Sequence, residues 1–314
     1  MAGGSKKVVF AAIGANAVIA AAKFTAAVVT GSAAMFSEAI HSTVDTGNQL
    51  LLLLGLYKAA KPADREHPFG YSKELYFWSF VVALLIFAVG AGVSIYEGIH
   101  KIIAPHAVEN PLVNFVVLGI AAVVEGGAWL LALKEFNRTR GRYTIPQAVR
   151  RTKDPAVLAV LLEDSAAILG LVIAFGGVAG SYFLNMPVLD GVASVGIGLL
   201  LAAIAVVLAV ETKALLIGEA ASPEVVAAIR KLADQHAHVA EVNEILTMHL
   251  GPEDILVNLS LDFRNDIPAG MVESTVTELE RQVKETMPQV RRIFIEVQSA
   301  KAHAEQVAQA DNPA

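Results

Sequence analysis

The chain has 314 residues, of which 55% are hydrophobic and 17% charged, and its formal net charge is −6. Soluble domains are nearer ~45–50% apolar and ~25% charged, so this composition excludes an ordinary soluble enzyme and indicates a membrane protein. The sequence contains no cysteine, which excludes a disulfide framework and any thiolate metal site.

The first 211 residues contain six apolar segments, each long enough to cross a hydrocarbon core that requires ~20 helical residues. The segments lie at about 7–29, 33–58, 77–103, 112–135, 155–180 and 187–211. Pro111, Pro155 and Pro187 stand at the starts of the last three segments, where proline suits the first turn of a helix. We therefore predict an all-α domain of six transmembrane helices over residues 1–211.

Basic residues are distributed unevenly between the predicted loops. The short loops after the first and fifth segments contain none. The basic residues cluster instead at the N-terminus and around the loops after the second and fourth segments: Lys6, Lys7, Lys58, Lys61, Arg65, Lys73, Lys134, Arg138, Arg140, Arg142, Arg150, Arg151 and Lys153. Because Lys and Arg favour cytoplasmic loops, we expect a multi-pass membrane protein with both termini in the cytoplasm. The bacterial inner membrane is the expected membrane, and an organelle membrane is the alternative.

Residues 212–300 have ordinary polarity and predict a separate cytoplasmic domain. Ser222 as N-cap and Pro223 at the first position predict a helix over ASPEVVAAIRKLADQ. Two strands (NEILTMHL and DILVNLSLDF), a second helix (AGMVESTVTELERQVKETM) and a third strand (VRRIFIEVQ) follow. The order α-β-β-α-β is typical of a small ferredoxin-like or metallochaperone-like α+β domain, with the helices on one face of the sheet. Residues 301–314 are expected to form a disordered tail.

Three ionisable side chains interrupt the apolar segments in a pattern that suits a metal ion. His41 and Asp45 are four residues apart on the predicted second helix, so they share one face. Asp164 lies on the predicted fifth helix, and at ~1.5 Å rise per residue all three lie near the middle of a core ~30 Å thick. Charges are costly at that depth unless they are compensated, and a divalent cation such as Zn²⁺ both binds and compensates them. We therefore predict that these three residues bind a divalent metal ion.

Other polar residues of the apolar segments have a structural alternative. Asn16 and Glu125 reach a similar depth on the predicted first and fourth helices. A buried charge can instead pair with a neighbouring helix, as Lys23 can with a carboxylate. For Glu38, Glu97 and Glu125 this structural interpretation is favoured.

Two motifs carry a resemblance to a known family. The segment PADREHPFGYSKE at 62–74 precedes the third predicted helix, and SEAIHSTVD at 37–45 contains the candidate ligands of the second. With these motifs, six spans followed by an α+β domain, and Asp190 near the start of the sixth span, the chain resembles the cation diffusion facilitators, which are divalent-metal/proton antiporters. The resemblance covers nearly the whole chain. It implies a lipid-embedded homodimer whose partners are a metal ion and protons, with no cofactor and no nucleic acid.

The resemblance also implies a tetrahedral transport site with two ligands from the second helix and two from the fifth. His41, Asp45 and Asp164 occupy three of these positions. The fourth is Val160, where many zinc-transporting relatives have histidine, so the chain resembles a subgroup without that histidine. The candidates for the fourth ligand are Asn16, Glu125, Glu163 or a water molecule.

Two further metal sites of the family are incomplete in this chain. In the loop after the second helix, some relatives bind zinc through an Asp and two His, and here Asp64 and His67 are followed by Tyr71. Because two ligands rarely hold Zn²⁺, a structural role of this loop is favoured over a metal site. In the last strand, Glu296 and Gln298 replace a frequent His-x-Asp.

These features predict a secondary transporter, not an enzyme, that exports a divalent transition metal from the cytoplasm in exchange for protons, with Zn²⁺ as the first candidate. Without the fifth-helix histidine the site is richer in oxygen, which leaves manganese, iron, cobalt or nickel as alternative cargo. A membrane metal sensor or scaffold that does not transport is a further alternative, although a sensor does not need ligands at this depth. The lack of a His-Glu-x-x-His motif argues against an intramembrane metallohydrolase.

Overall fold

The computed structural model describes residues 3–140 and 143–310. The chain divides into two compact units. The first contains the residues up to Pro62 together with Glu74–Lys213, and the second contains Ala63–Lys73 together with the residues from Ala214 onward. The boundary expected at residue 211 thus lies slightly later, and the loop after the second long helix belongs to the C-terminal unit.

The first unit is helical throughout its described length. Its elements are α1 (Gly3–Thr30), α2 (Ala33–Ala59), α3 (Glu74–Leu85), a π-helical turn (Ile86–Ala91), α4 (Gly92–Ile103), α5 (Pro111–Thr139), α6 (Ile145–Arg151), α7 (Pro155–Phe183) and α8 (Val188–Ile217). The segment from α3 to α4 is continuous, so each of the six predicted spans corresponds to one long helical segment.

Four helical segments of the described chain are long and apolar enough to cross a membrane: Glu74–Ile103, Pro111–Arg138, Pro155–Phe183 and Val188–Ile217. The described apolar part of α1, Asn16–Thr30, is shorter. Helix α2 has 27 residues, but Glu38, His41 and Asp45 reduce its apolarity. The expectation of a helical membrane domain is therefore confirmed, and membrane crossing by α1 and α2 themselves stays a prediction.

Local capping fixes the starts of the two helices that carry the predicted ligands. Gly31 has a φ of +62°, a left-handed conformation that glycine adopts without strain, and it allows the tight turn from α1 to α2. The hydroxyl of Ser32 then accepts a hydrogen bond from the backbone N–H of Met35. At α7, Asp154 accepts from the N–H of Ala156 at 3.0 Å. Such caps satisfy N–H groups that the first helical turn leaves unpaired.

Small residues bring the helices of the first unit close together. Its core is rich in alanine, with Ala34, Ala159 and Ala174 fully buried. Between α4 and α8 the approach is closer still, since a Cβ at Gly98 would lie 2.7 Å from the carbonyl oxygen of Gly191. Any larger side chain at these two glycines would separate the helices.

The second unit contains α9 (Pro223–Asp234), β1 (Val239–Gly251), β2 (Asp254–Phe263), α10 (Ala269–Thr286), β3 (Val290–Val297) and α11 (Ala300–Ala310). The sheet has the order β1-β2-β3, with β1 and β2 antiparallel and β2 and β3 parallel. The predicted order α-β-β-α-β is therefore confirmed. The N-cap at Ser222 is also present, since its side chain accepts from the N–H of Val225.

One face of this sheet forms the core of the second unit. Val257 and Leu259 of β2 are completely buried and belong to one cluster with Ile229 of α9 and Leu279 of α10. Burial of alternate strand residues explains the register, because a shift by one residue would turn this apolar set to the other face. On the opposite face, Leu246 and Phe294 keep more than half of their surface exposed, at 53% and 55%.

The C-terminal tail differs from the expectation. Residues 301–314 were expected to be disordered, but α11 is helical over Ala300–Ala310, and residues 311–314 lie outside the described part of the chain. The prediction was wrong for the described residues because it was based on the position of the segment at the end of the chain, and such segments are ordered when other contacts fix them. Ser299 accepts a hydrogen bond from the N–H of Ala302, and Asp262 of β2 accepts one from the N–H of Ala300. These contacts start a helix whose alanine and glutamine residues favour that conformation.

Candidate functional site

The polar residues of α2 form a stripe along one face of the helix. Glu38, His41, Ser42, Asp45 and Asn48 each have another member of the set three or four residues away, which places them along one face over consecutive turns. His41 is buried, and its Nδ1 lies 3.4 Å from Oδ1 of Asp45. The Nε2 atom of His41 is buried without a hydrogen-bond partner among the described residues. This face of α2 thus presents an imidazole nitrogen and carboxylate oxygens, as predicted from the spacing.

A cavity of about 340 Å³ lies beside this stripe, within the first unit. Asp45 of α2 and Asp164 of α7 both line it, so two of the three predicted ligands face the same space. His41 is not among the described lining residues. The remaining candidates, Asn16, Glu125 and Glu163, also line the cavity, and so does Val160, where the family resemblance implies a histidine in many members.

The arrangement is a carboxylate-rich cavity rather than a closed coordination sphere. Within the described chain, no group of three or more His, Asp or Glu side chains is arranged so that it could hold a metal ion. Asp45 and Asp164 reach the cavity from different helices, so a cation in the cavity can be bound by carboxylates of both helices. The ligand set therefore stays a prediction, and the cavity is the space to which it applies.

Glu163 is held from α2 in this arrangement. Its Oε1 accepts a 3.0 Å hydrogen bond from Nδ2 of Asn48, and both side chains are buried. Glu163 is ~100° from Asp164 around the helix, yet both line the same cavity. This contact was not foreseen, although Asn48 could have been found because it follows Asp45 by three residues on the same face.

A buried cation joins three helices next to the cavity. The ammonium of Lys23 in α1 lies 2.8 Å from a carboxylate oxygen of Glu38 in α2 and 2.8 Å from one of Glu125 in α5. It also donates a 2.9 Å hydrogen bond to the hydroxyl of Ser42. Pairing of Lys23 with a carboxylate was a predicted alternative, and both carboxylates concerned were expected to be structural. The sequence does not indicate that this one lysine pairs with both of them.

Asp64 is hydrogen-bonded within its own loop, which belongs to the second unit. Asp64 accepts hydrogen bonds from the N–H of His67 at 2.7 Å and of Glu66 at 3.0 Å, while its other oxygen accepts from the Tyr71 hydroxyl at 2.7 Å. The Tyr71 hydrogen bond, followed by that from the His67 backbone, lowers the pKa of Asp64. The His67 ring lies against the ring of Tyr71, with centroids 4.3 Å apart. These contacts support the structural role of the loop.

The comparison with known families decides the identity. Residues 9–217, more than half of the chain, match the cation efflux transmembrane domain. The chain belongs to the cation diffusion facilitator family. This confirms the resemblance carried by the two motifs.

Individual members of the family resemble the chain over most of its length. It is 35% identical to the mouse "Proton-coupled zinc antiporter SLC30A9, mitochondrial", over 83% of the chain and 46% of that relative. It is 28% identical to "Metal tolerance protein C4" of Arabidopsis thaliana, over 84% of the chain and 58% of the relative. With the "Manganese efflux system protein MneP" of Bacillus subtilis the identity is 26%, over 93% of the chain and 95% of the relative. The chain thus spans about half the length of the first two relatives.

Proposed function

We propose that this cation diffusion facilitator is a secondary transporter that exports a divalent transition metal, with zinc preferred, from the cytoplasm in exchange for protons. The observation that supports this most is the cavity lined by Asp45 of α2 and Asp164 of α7. Carboxylates from two helices facing one space suit a cation that binds from one side and leaves on the other. A relative 35% identical to this chain is named a proton-coupled zinc antiporter.

The coupling follows from the chemistry of the proposed ligands. Carboxylates and imidazole bind a metal ion only in their deprotonated forms, so metal binding releases protons. A site built from His41, Asp45 and Asp164 that opens alternately to either side therefore moves metal outward and protons inward. Lower pH on the cytoplasmic side is expected to weaken metal binding, because protons and metal compete for the same atoms.

The fourth ligand is proposed to come from the cavity wall. Glu163, Glu125 and Asn16 all line the cavity, and a water molecule is the alternative. One oxygen of Glu125 is engaged by Lys23, and one of Glu163 by Asn48. Asn16 is half-buried and contributes a neutral donor from α1. Zn²⁺ favours four ligands from nitrogen and oxygen, so any of the three would complete the site.

A harder cargo ion is the second candidate. The proposed ligands comprise one imidazole and at least two carboxylates, and this proportion of oxygen to nitrogen also suits Mn²⁺. A relative that aligns with 93% of the chain is named a manganese efflux protein. Iron, cobalt and nickel remain alternatives by the same mechanism. A sensor or scaffold that binds metal without moving it is distinguished from these by the absence of transport.

We further propose a homodimer in the bacterial inner membrane, with both termini on the cytoplasmic side. The exposed Leu246 and Phe294 on one sheet face give the second unit an apolar surface that a second copy would bury. The basic residues around the loops after the second and fourth long helices support the orientation. Because the chain has no cysteine, single cysteines introduced at the exposed positions Ala63 and Leu184 test the orientation by labelling from either side.

The deciding experiment is uptake by proteoliposomes that contain the purified chain. Zn²⁺, Mn²⁺, Fe²⁺, Co²⁺ and Ni²⁺ are offered separately, and the lumenal pH is recorded in parallel. The expected result is uptake that is fastest for Zn²⁺ and is accompanied by proton movement in the opposite direction. Metal binding without uptake would support the sensor or scaffold, and uptake without a pH change would contradict proton exchange.

A further inference from the structure

We propose that Lys23 is a fixed counter-cation that weakens cation binding in the neighbouring cavity and thereby speeds release of the transported metal. This inference rests on the proposed transport function. Lys23 is completely buried. Its ammonium contacts Glu38, Glu125 and Ser42 at 2.8, 2.8 and 2.9 Å, which uses all three of its N–H donors.

The position of the ammonium relative to the cavity carries the argument. Ser42 and Glu125 both line the cavity, whereas Lys23 is not among the described lining residues. The positive charge therefore stands directly behind the cavity wall, in contact with two of its members. In a buried site a charge acts on its neighbours far more strongly than in water. A divalent cation in the cavity is thus repelled by Lys23 while it is attracted by Asp45 and Asp164.

A purely structural role explains only part of this arrangement. One carboxylate would be enough to neutralise Lys23, but the cluster contains two, which gives it a formal charge of −1. One oxygen of Glu38 and one of Glu125 are buried without a hydrogen-bond partner among the described residues. The cluster of Lys23, Glu38 and Glu125 therefore carries a net negative charge next to the cavity, and that net charge depends on Lys23.

The consequence for transport is a balance between binding and release. A transported ion must bind well enough to enter and weakly enough to leave. Without Lys23, Glu38 and Glu125 would together place two unpaired negative charges beside the cavity. Metal would then bind tightly and leave slowly. With Lys23 in place, the ammonium binds one oxygen of Glu125, so the attraction of this carboxylate for the metal is reduced.

The charge hypothesis makes opposite predictions for two substitutions. In Lys23→Met, the dissociation constant for Zn²⁺, measured by calorimetry in detergent, should fall about tenfold or more. Both KM and kcat for uptake should fall with it. In Glu38→Gln, which is nearly isosteric and still offers Lys23 an oxygen, Zn²⁺ binding should weaken about tenfold. Lys23→Arg keeps the positive charge, so its affinity for Zn²⁺ and its kcat should both stay close to the wild-type values.

Two further variants separate charge from packing. Lys23→Met/Glu38→Gln removes one positive and one negative charge, so its affinity should lie between those of the single variants. Lys301→Met removes a positive charge from a side chain that is 89% exposed, and it should leave both constants unchanged. Size-exclusion profiles and thermal unfolding monitor folding of every variant.

The outcomes distinguish the inference from the proposed function. If the wild type binds Zn²⁺ but moves no metal, the proposed transport function fails. The dissociation constants of the variants still test whether the charge of Lys23 weakens Zn²⁺ binding. If Glu38→Gln binds Zn²⁺ with wild-type affinity, the inference is overturned, whether or not Lys23→Met folds. A Lys23→Met protein that folds and keeps wild-type KM and kcat overturns it as well.

Discussion

Asp190, in the first turn of α8, accepts a 2.6 Å hydrogen bond from the hydroxyl of Ser32, the residue that caps α2. Its other carboxylate oxygen accepts from the backbone N–H of Ala33 at 2.6 Å. Asp190 is completely buried, so these contacts are made away from solvent. A negative charge at the start of a helix also interacts favourably with the helix dipole. One carboxylate of α8 therefore anchors the helix that carries His41 and Asp45.

Asp190→Asn should therefore destabilise the membrane unit. The amide loses the charge and one acceptor oxygen, and hydrogen bonds to a charged group contribute about 1.5–3 kcal/mol each. We expect the free energy of unfolding to fall by about 2 kcal/mol or more, measured as a lower thermal midpoint in detergent. Glu109→Gln changes an exposed carboxylate and serves as the control. Equal midpoints for the two variants would show that the anchor contributes little.

Asp45→Ala and Asp164→Ala should each abolish metal uptake while the protein remains folded. Each substitution removes a negative charge and a ligand from the cavity, and a divalent ion does not leave water without such compensation. Initial uptake rates in proteoliposomes and the size-exclusion profile are the measurements. Asp234→Ala, at an exposed position of α9, is the matched control. Uptake near the wild-type rate in either cavity variant would mean that the site lies elsewhere.

Much of the helical framework could be predicted from the sequence, because long apolar runs and proline or N-cap residues mark helix starts locally. The α2 stripe could also be predicted, since His41 and Asp45 reveal their common face by spacing alone. The elements of the second unit follow from alternating apolar residues, as in Val257 and Leu259. Each of these signals lies within one element.

Contacts between elements could not be predicted in the same way. Lys23 meets Glu38 across 15 residues of sequence and Glu125 across 102, and nothing in a single sequence indicates which carboxylate a buried lysine selects. The start of α11 depends on Asp262 of β2, which is 38 residues before Ala300. Such pairings arise only when helices and strands pack against one another.

His41→Asp should shift the metal preference toward Mn²⁺. The substitution replaces an imidazole with a carboxylate on the same helix face as Asp45, and a site richer in oxygen favours harder ions. The ratio of Zn²⁺ to Mn²⁺ uptake in direct competition should therefore fall. His303→Asp in α11 makes the same chemical change in the second unit and should leave the ratio unaltered. A constant ratio in both variants would count against His41 as a ligand.

His67→Ala should leave the number of bound Zn²⁺ ions unchanged, because both oxygens of Asp64 are already engaged within the loop. Calorimetric stoichiometry for this variant should equal that of the wild type, whereas Asp164→Ala should lose a site. The lowered pKa of Asp64 adds a pH dependence. The ionised carboxylate stabilises the loop above the ordinary Asp pKa of ~3.9, and this stabilisation is lost as the pH falls through the lowered value. A lower stoichiometry in His67→Ala would restore the loop as a metal site.

Val160 occupies the position where the family resemblance implies a histidine in many zinc-transporting members, and its surroundings make it a good place to add a ligand. It lies one helical turn before Asp164 on α7, so the two residues share a face. Both line the cavity, and Val160 keeps 36% of its surface exposed. A histidine at this position would therefore direct a nitrogen toward the space that Asp45 also faces.

Val160→His should bind Zn²⁺ more tightly, by about tenfold or more, because a fourth ligand from nitrogen completes the coordination that Zn²⁺ favours. Turnover should fall, since tighter binding slows release on the far side. Zn²⁺ affinity by calorimetry and initial uptake rates in proteoliposomes are measured together. Val157→His is the matched control, because Val157 is similarly exposed at 38% but is not among the described cavity-lining residues. If both variants bind Zn²⁺ as the wild type does, position 160 does not face the metal. The fourth ligand must then be sought at Glu163, whose carboxylate would have to leave Asn48 to reach the ion.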